Sequence, residues 1–127
     1  MTAKVGRVDH PVVAVHDLQQ TRVQYQKLGF VVPPSGKHQE WGTENLCIMF
    51  ADDYLEIRGI GDPNKFLAGV DTFLEQGEGL YSVAFNAKSA NESYQAGVAS
   101  GWASSRRSTS TASWCWKTAP WICISRP

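Results

Sequence analysis

Alternating hydrophobic and polar positions predict four strands in the first half of the chain. Each is a short run rich in β-branched or aromatic residues and bounded by turn-forming residues. The predicted strands are Val8–Val15, Phe30–Val32, Asn45–Phe50 and Tyr54–Ile60. Alternation along the last strand places Tyr54, Glu56 and Arg58 on one face, and Leu55 and Ile57 on the other. Along the first strand it groups His10 with Val8, Val12 and Ala14.

A helix separates the first two predicted strands. Asp17 is a typical N-cap residue, and Gln20 completes a capping box three positions later. One helical face carries Leu18, Thr21, Tyr25 and Leu28. Gly29 then predicts the end of the helix, since glycine tolerates the left-handed conformation found there. Residues 6–60 therefore predict a β-α-β-β-β module.

A linker and a second module follow. Phe66–Gln76 has hydrophobic residues at helical spacing and predicts a linker helix within residues 61–79. Leu80–Ala87 predicts a strand, and Ser89 with Glu92 forms another capping box. At an offset of 72 residues, the strand, the cap, the helix and a glycine–aromatic exit of the two halves coincide. We therefore expect one domain over residues 1–127, with a second module over residues 80–127.

The composition changes near residue 100. Residues 1–99 contain eight basic and twelve acidic residues, whereas residues 100–127 contain four basic and no acidic ones. This tail also holds four of the five tryptophans and seven serines. Two interpretations stay open, a basic serine-rich extension or a shift of the coding frame. At the same offset the counterpart of Glu56 would lie one residue past the C-terminus. The second module is therefore expected to be incomplete or atypical after about residue 102.

Charge and composition exclude several classes of protein. The 127 residues balance twelve basic against twelve acidic side chains, so neither nucleic acid nor an anionic membrane is an expected partner. No run of about 18 apolar residues predicts a membrane span. The N-terminal residues lack the apolar segment of a signal peptide, which favours the cytoplasm. The three cysteines form no CxxC pair, so reduced thiols are expected.

Several motifs together resemble a known superfamily. The tandem modules, the early Asp9-His10 pair, the Leu28-Gly29-Phe30 exit and the Tyr54-Leu55-Glu56 strand resemble the vicinal-oxygen-chelate superfamily. That superfamily includes glyoxalase I, extradiol dioxygenases and bleomycin- or fosfomycin-resistance proteins. The stretch from Lys37 to Ile60 is similar to its glyoxalase-like domain branch. The resemblance implies an α+β fold, in which tandem β-α-β-β-β modules form a curled mixed sheet around a metal or a small ligand.

The resemblance also implies a set of site residues. His10 and Glu56 stand at the two metal-ligand positions of the first module, and Glu56 is also the candidate proton-transfer base. Imidazole and carboxylate ligands suit Zn, Ni, Mn or Fe, which would act as a Lewis acid on an oxygen-chelating substrate. Ser82 stands at the second-module position that corresponds to His10. The alternative expectation is therefore that no metal is bound. The expected ligand-binding residues are His38, Trp41, Thr43, Asn45, Tyr54 and Arg58.

Each candidate also has a structural interpretation. Glu56 can form an ion pair with Arg58, two residues along the same face. The segment from His38 to Asn45 can be a self-contained turn, in which Trp41 packs and Gly42 bends. Cys47, in the middle of a strand, is typical of a small core residue.

Three functions are compatible with this sequence. The first is a glyoxalase-like small-molecule-binding protein acting as a metal-dependent lyase, isomerase or dioxygenase. The second is a metal-free binding protein that sequesters its ligand, as antibiotic-resistance members do. The third is a degenerate product without activity. Whether the chain is an enzyme stays open. A homodimer is expected, because an unfinished sheet edge favours association.

Overall fold

The described part of the chain folds into short strands and three helices. The structure, a computed structural model, describes the backbone of residues 5–100, 104–107, 114–116 and 121–125, and the side chains of residues 6–100 except 90, 91 and 94. In chain order the elements are β1 (Val5–Ala14), α1 (Leu18–Lys27), β2 (Gly36–Lys37), β3 (Thr43–Met49), β4 (Tyr54–Ile60), α2 (Val70–Leu74), β5 (Gly79–Ala87), α3 (Ala90–Ala99), β6 (Ser104–Arg107), β7 (Trp114–Trp116) and β8 (Trp121–Ser125).

The chain divides into two units. The central unit comprises Val12–Tyr81, and the terminal unit comprises Met1–Pro11 together with Ser82–Pro127. Strand β1 passes from the terminal unit into the central unit after Pro11. Among the described residues, no helix has the length and hydropathy needed to cross a membrane.

In the central unit the strand order is β2-β3-β4-β1. Strands β1 and β4 are parallel, with Val12 opposite Glu56. Strands β3 and β4 are antiparallel, with Asn45 opposite Arg58 and Cys47 opposite Glu56. Paired residues point to the same side of a sheet, so this register decides which side chains meet.

Helix α1 covers one face of the central unit. Its residues Leu18 and Tyr25 pack against a buried cluster of aliphatic side chains. That cluster consists of Val15, Val32, Leu46, Ile48 and Ile57. Ile57 and Leu55 thus face α1, as alternation along β4 predicted, and the opposite face of β4 carries Glu56 and Arg58.

Local signals at helix ends are confirmed. The Asp17 carboxylate accepts a hydrogen bond from the backbone N–H of Gln20 at 2.8 Å. Gly29 has φ of 95°, the left-handed conformation that follows many helices. Ser89 caps α3 by accepting from the Glu92 N–H at 3.2 Å. These signals involve residues within four positions of one another, so the sequence alone determines them.

One predicted strand is wrong, and the predicted linker helix is too long. Phe30–Val32 forms no strand, and the short strand β2 at Gly36–Lys37 pairs with β3 instead. Pro33 and Pro34 follow directly and lack the N–H that a ladder needs, so the chain pairs only after them. The linker helix is also shorter than Phe66–Gln76, since α2 spans only Val70–Leu74.

The linker helix is short because two residues before it have left-handed backbone conformations. Ala68 has φ of 55° and Gly69 has φ of 85°, and neither value is compatible with a right-handed helix. The expected helical face of α1 also ends early, because Leu28 caps the helix and is 74% exposed.

The terminal unit follows the same plan as the central one. Its strand order is β1-β5-β8-β7-β6, with β5 and β8 parallel and the other two pairs of the second module antiparallel. With α3 after β5, this gives a second β-α-β-β-β module and confirms the α+β tandem-module prediction. Gly101 and Trp102, expected to form the glycine–aromatic exit, lie outside the described residues.

The register of β8 corrects the offset alignment. Ala84 is the counterpart of Val12, and Cys123 lies opposite Ala84, as Glu56 lies opposite Val12. Cys123 therefore occupies the register position equivalent to Glu56. The position does not fall past the C-terminus, because the second module has a shorter path between its helix and its last strand.

Candidate functional site

Four polar residues meet on the face of β3 and β4 that is turned away from α1. We call Asn45, Cys47, Glu56 and Arg58 the polar cluster. Strand alternation puts Glu56 and Arg58 on this face, and the β3–β4 register brings Cys47 opposite Glu56 and Asn45 opposite Arg58. The cluster therefore results from one hairpin, whose turn contains Asp52 and Asp53.

Glu56 lies at the centre of the polar cluster. It is 4% exposed, and one carboxylate oxygen, Oε1, accepts hydrogen bonds from both neighbours. Arg58 donates from Nε at 3.0 Å and from Nη2 at 2.7 Å, and Asn45 donates from Nδ2 at 3.2 Å. Charge-assisted hydrogen bonds of this kind offset the cost of removing a carboxylate from water. The ion pair with Arg58, which the sequence offered as the structural role of Glu56, is thus present.

Arg58 is held by a second contact. Its guanidinium carbon lies 5.9 Å from the centre of the Tyr81 ring, a cation–π distance. The Tyr81 hydroxyl donates to the Ala68 carbonyl at 2.6 Å, and its ring meets Phe73 edge to face. The Tyr81 ring is therefore fixed, and it fixes the guanidinium in turn.

The electrostatics of the cluster reach Cys47. Burial raises the pKa of the Cys47 thiol, the Glu56 carboxylate raises it further, and the Arg58 guanidinium acts in the opposite direction. A raised pKa leaves the thiol protonated at neutral pH, so Cys47 is a poor nucleophile. Cys47 is half-buried on the face of the polar cluster, however, and not part of the aliphatic core in which a small core residue was expected.

The segment from His38 to Thr43 is a turn closed by its own side chains. His38 Nδ1 lies 2.8 Å from the hydroxyl oxygen of Thr43, and the His38 N–H donates to the Thr43 carbonyl at 3.2 Å. Thr43 is 1% exposed. A side chain on Gly42 would collide with the Asp62 carbonyl oxygen, so glycine is required there for close approach of the backbone.

Trp41 packs at the outer end of this turn. Its ring meets Phe66 edge to face at 5.6 Å and lies 5.7 Å from the ring of His38. The Gly42 N–H donates to the Phe66 carbonyl at 2.9 Å, which ties the linker to the turn. Phe66 remains 64% exposed, so an aromatic surface lies at this end of the central unit.

The predicted site residues thus fall into separate groups. Asn45, Glu56 and Arg58 come together in the polar cluster, whereas His38, Trp41 and Thr43 form the turn. Tyr54 is half-buried at the start of β4, opposite Met49.

His10 belongs to the terminal unit. It is buried, and its Nδ1 lies 2.6 Å from an oxygen of the Asp9 carboxylate. Such a contact fixes the orientation of an imidazole ring, as it also does for metal-binding histidines. Its repeat counterpart, Ser82, is fully buried, and its hydroxyl has no hydrogen-bond partner among the described residues.

Among the side chains that the structure describes, the donor set around Glu56 does not fit a resident divalent metal. A catalytic centre commonly needs three protein ligands. In the part of the chain that the structure describes, no group of three or more His, Cys, Asp or Glu side chains is placed to hold a metal ion. In addition, the Glu56 oxygen expected to bind a metal accepts two bonds from the Arg58 cation.

The sequence did not predict that three residues, Tyr81, Phe66 and Cys47, would lie beside these groups. The β3–β4 hairpin offered a signal for Cys47, since a short turn at residues 50–53 fixes which residues face each other. Tyr81 and Phe66 had no such signal, because each reaches its partner through the irregular linker.

Comparison with known proteins supports this architecture. A family model described as "Glyoxalase-like domain" matches residues 8–121. No curated protein matches the sequence.

Solved structures share the fold at low sequence identity. A variant of methylmalonyl-CoA epimerase from Streptomyces coelicolor, in complex with 2-nitronate-propionyl-CoA, superposes with a TM-score of 0.74 at 20% identity, covering 96% of this chain and 99% of that one. The methylmalonyl-CoA epimerase of Mycobacterium tuberculosis gives 0.75 at 18% identity, covering 100% and 91%. A hypothetical protein from Bacillus halodurans C-125 gives 0.79 at 14% identity, covering 98% and 96%.

The family match spans both modules, and it includes the segment around the polar cluster on which the vicinal-oxygen-chelate resemblance was drawn. The resemblance is thereby confirmed: this chain belongs to the glyoxalase-like domain family.

Proposed function

We propose that this chain is a small-molecule-binding protein whose ligand contacts the polar cluster. The observation that carries the proposal is a carboxylate and a guanidinium buried together on the face of β4 turned away from α1. A buried ion pair contributes little to stability compared with hydrophobic side chains, so its presence favours a role in binding.

The expected ligand is a small organic molecule that carries carboxyl or carbonyl oxygens. Arg58 and Asn45 supply N–H donors, and Glu56 supplies an acceptor. Methylmalonyl-CoA epimerases share the fold, which makes an acyl thioester of a dicarboxylic acid a reasonable probe. His38 and Trp41 would lie at the outer end of the same strand pair, where an aromatic surface suits a larger substituent.

Ligand binding can be tested by thermal stabilisation and calorimetry. The probes are malonate, methylmalonate and methylmalonyl-CoA. We expect at least one to raise the melting temperature, and Asn45→Ala to weaken its binding about tenfold. Glu44→Gln is the matched control, because Glu44 is the next residue on β3 and pairs with Lys37 instead. The proposal fails if no probe binds, or if Asn45→Ala binds as the wild type does.

Isomerisation is the second candidate, favoured by a carboxylate lying against a guanidinium. In such a pair Glu56 would accept a proton from carbon, and Arg58 would stabilise the resulting enolate oxygen. Incorporation of deuterium from solvent into methylmalonyl-CoA, followed by mass spectrometry, measures this step. Binding without exchange would instead favour a sequestering protein. Equal exchange by wild type and Glu56→Gln would exclude Glu56 as the base.

Exposed hydrophobic residues support the proposed homodimer. Phe30 and Phe50 meet edge to face at 6.2 Å and stay 38% and 47% exposed. Leu28, Val31 and Met49, which neighbour them in sequence, are 74%, 87% and 66% exposed. A surface of this kind favours association. Light scattering is expected to give twice the chain mass, and a monomer would contradict it. The cytoplasmic location stays a prediction from the sequence.

A further inference from the structure

The side chains of Arg58 and Glu56, two residues apart on β4, are joined by two hydrogen bonds. Two nitrogens of one guanidinium, Nε and Nη2, donate to the same carboxylate oxygen at 3.0 and 2.7 Å. Both side chains are removed from water, at 13% and 5% exposure. In such surroundings an opposite charge interacts strongly, because water does not screen it.

The contact bears on metal binding because of the position of Glu56. It stands where the superfamily resemblance predicted a metal-ligand carboxylate. A divalent ion bound to Oε1 would lie close to the Arg58 guanidinium and would be repelled by it. It would also have to displace two charge-assisted hydrogen bonds from that oxygen.

The guanidinium is also held from its other side. The Tyr81 ring lies 5.9 Å from its carbon atom, and the Tyr81 hydroxyl is fixed on the Ala68 carbonyl. Moving Arg58 away from Glu56 to admit a metal would therefore cost the cation–π contact as well. The hydrogen bonds and the aromatic ring act together to keep Arg58 in place.

We infer that Arg58 takes the place of the metal at Glu56, so that the polar cluster binds its ligand without a divalent cation. The inference rests on the proposed binding function of the same cluster. The ion pair carries no net charge. Recognition therefore comes from hydrogen-bond donors and acceptors, which suits a polar organic molecule with carbonyl or carboxyl oxygens and does not require two metal-chelating oxygens.

Metal binding is measured without any ligand present, which keeps this test separate from that of the proposed function. Five proteins are compared: wild type, Glu56→Gln, Arg58→Met, Arg58→Lys and the double variant Glu56→Gln/Arg58→Met. Each is dialysed to equilibrium against a series of Mn²⁺ or Zn²⁺ concentrations, and plasma mass spectrometry counts the bound metal at each concentration, which gives the metal affinity. Circular dichroism checks that each variant is folded. Comparison with Glu56→Gln separates metal on Glu56 from metal held elsewhere on the chain.

We expect wild type and Glu56→Gln to bind equal amounts of metal. Arg58→Met frees the Glu56 carboxylate and is expected to bind Mn²⁺ or Zn²⁺ at least about tenfold more tightly than wild type, although more weakly than a site with three protein ligands, and the double variant is expected to lose this gain. Arg58→Lys keeps a cation beside Glu56 and is expected to behave as wild type. If Arg58→Met does not fold, the comparison of wild type with Glu56→Gln still decides whether Glu56 holds a metal.

Two results would overturn the inference. The first is stoichiometric metal on wild type that disappears in Glu56→Gln. The second is a folded Arg58→Met variant whose metal affinity equals that of wild type, since Arg58 would then not be what keeps metal from Glu56. The failure of every organic probe to bind would overturn the proposed function alone, because no probe enters the metal measurement.

Discussion

The ion pair between Glu56 and Arg58 predicts a large energetic coupling. The perturbation is a double-mutant cycle made of Glu56→Gln, Arg58→Met and the two changes together. Each single change leaves one charge buried without its partner, at positions where the side chains are 5% and 13% exposed. The double variant removes both charges of this pair. The double variant should therefore lose less free energy of unfolding than the sum of the losses in the two single variants.

The magnitude follows from the geometry. Two unit charges about 4 Å apart attract by about 4 kcal/mol at an effective dielectric constant of about 20. Removing one partner of a buried pair commonly costs about 3–5 kcal/mol, and replacing both costs far less. We expect each single variant to lose about 3 kcal/mol and the double variant at most about 2 kcal/mol, so the coupling is at least about 4 kcal/mol. Arg58→Met loses slightly more, because it also removes the contact with Tyr81.

Urea unfolding followed by circular dichroism measures these free energies. The matched control is the ion pair of Lys37 on β2 and Glu44 on β3. Lys37 Nζ lies 3.3 Å from Glu44 Oε1, and the lysine side chain is 77% exposed. The same cycle with Lys37→Met and Glu44→Gln is expected to give a coupling below about 1 kcal/mol, because water screens the charges. If the Glu56–Arg58 cycle is additive within about 0.5 kcal/mol, the buried pair does not exist as described.

Three further predictions concern single positions. The pKa of the Cys47 thiol is raised on folding, so the alkylation rate of this thiol should increase at a higher pH in the folded chain than in the unfolded chain. Peptide mass spectrometry measures the alkylation, and Glu56→Gln should shift the increase to lower pH. Because this pKa is raised on folding, its contribution to stability is present below the unfolded pKa and is lost as pH rises through the folded one; equal alkylation profiles would disprove it. Gly42→Ala is expected to cost about 1–3 kcal/mol in urea unfolding, since its methyl group meets the Asp62 carbonyl oxygen, and an unchanged midpoint would contradict that contact. Asp17→Ala should cost about 1 kcal/mol by loss of the N-cap of α1, whereas Asp17→Asn should cost little.

The candidate site was predictable in part. The spacing of Glu56 and Arg58 on one strand predicted both a functional face and an ion pair, and the pair is present. The roles of His10, His38, Trp41 and Thr43 in ligand or metal binding stay predictions. The structure gives His38 and Thr43 a contact with each other, and Trp41 a contact with Phe66.

The sequence by itself determined what depends on neighbouring residues. Helix caps at Asp17 and Ser89, the helix end at Gly29 and the alternation along β4 all follow from interactions within a few positions. The same local signals predicted β1, α1, β3, β4, β5 and α3, and with the short motifs around Asp9-His10 and Tyr54-Leu55-Glu56 they were sufficient to indicate the family. They did not predict β2 or the strands after α3.

Only the tertiary structure decided what depends on pairing between distant segments. The β3–β4 register brings Asn45 to Glu56, the irregular linker brings Tyr81 to Arg58, and the β5–β8 register gives Cys123 the position equivalent to Glu56. The physical reason is that register and loop path are set by the packing of the whole sheet. A shift of one residue would send every side chain of a strand to the opposite face.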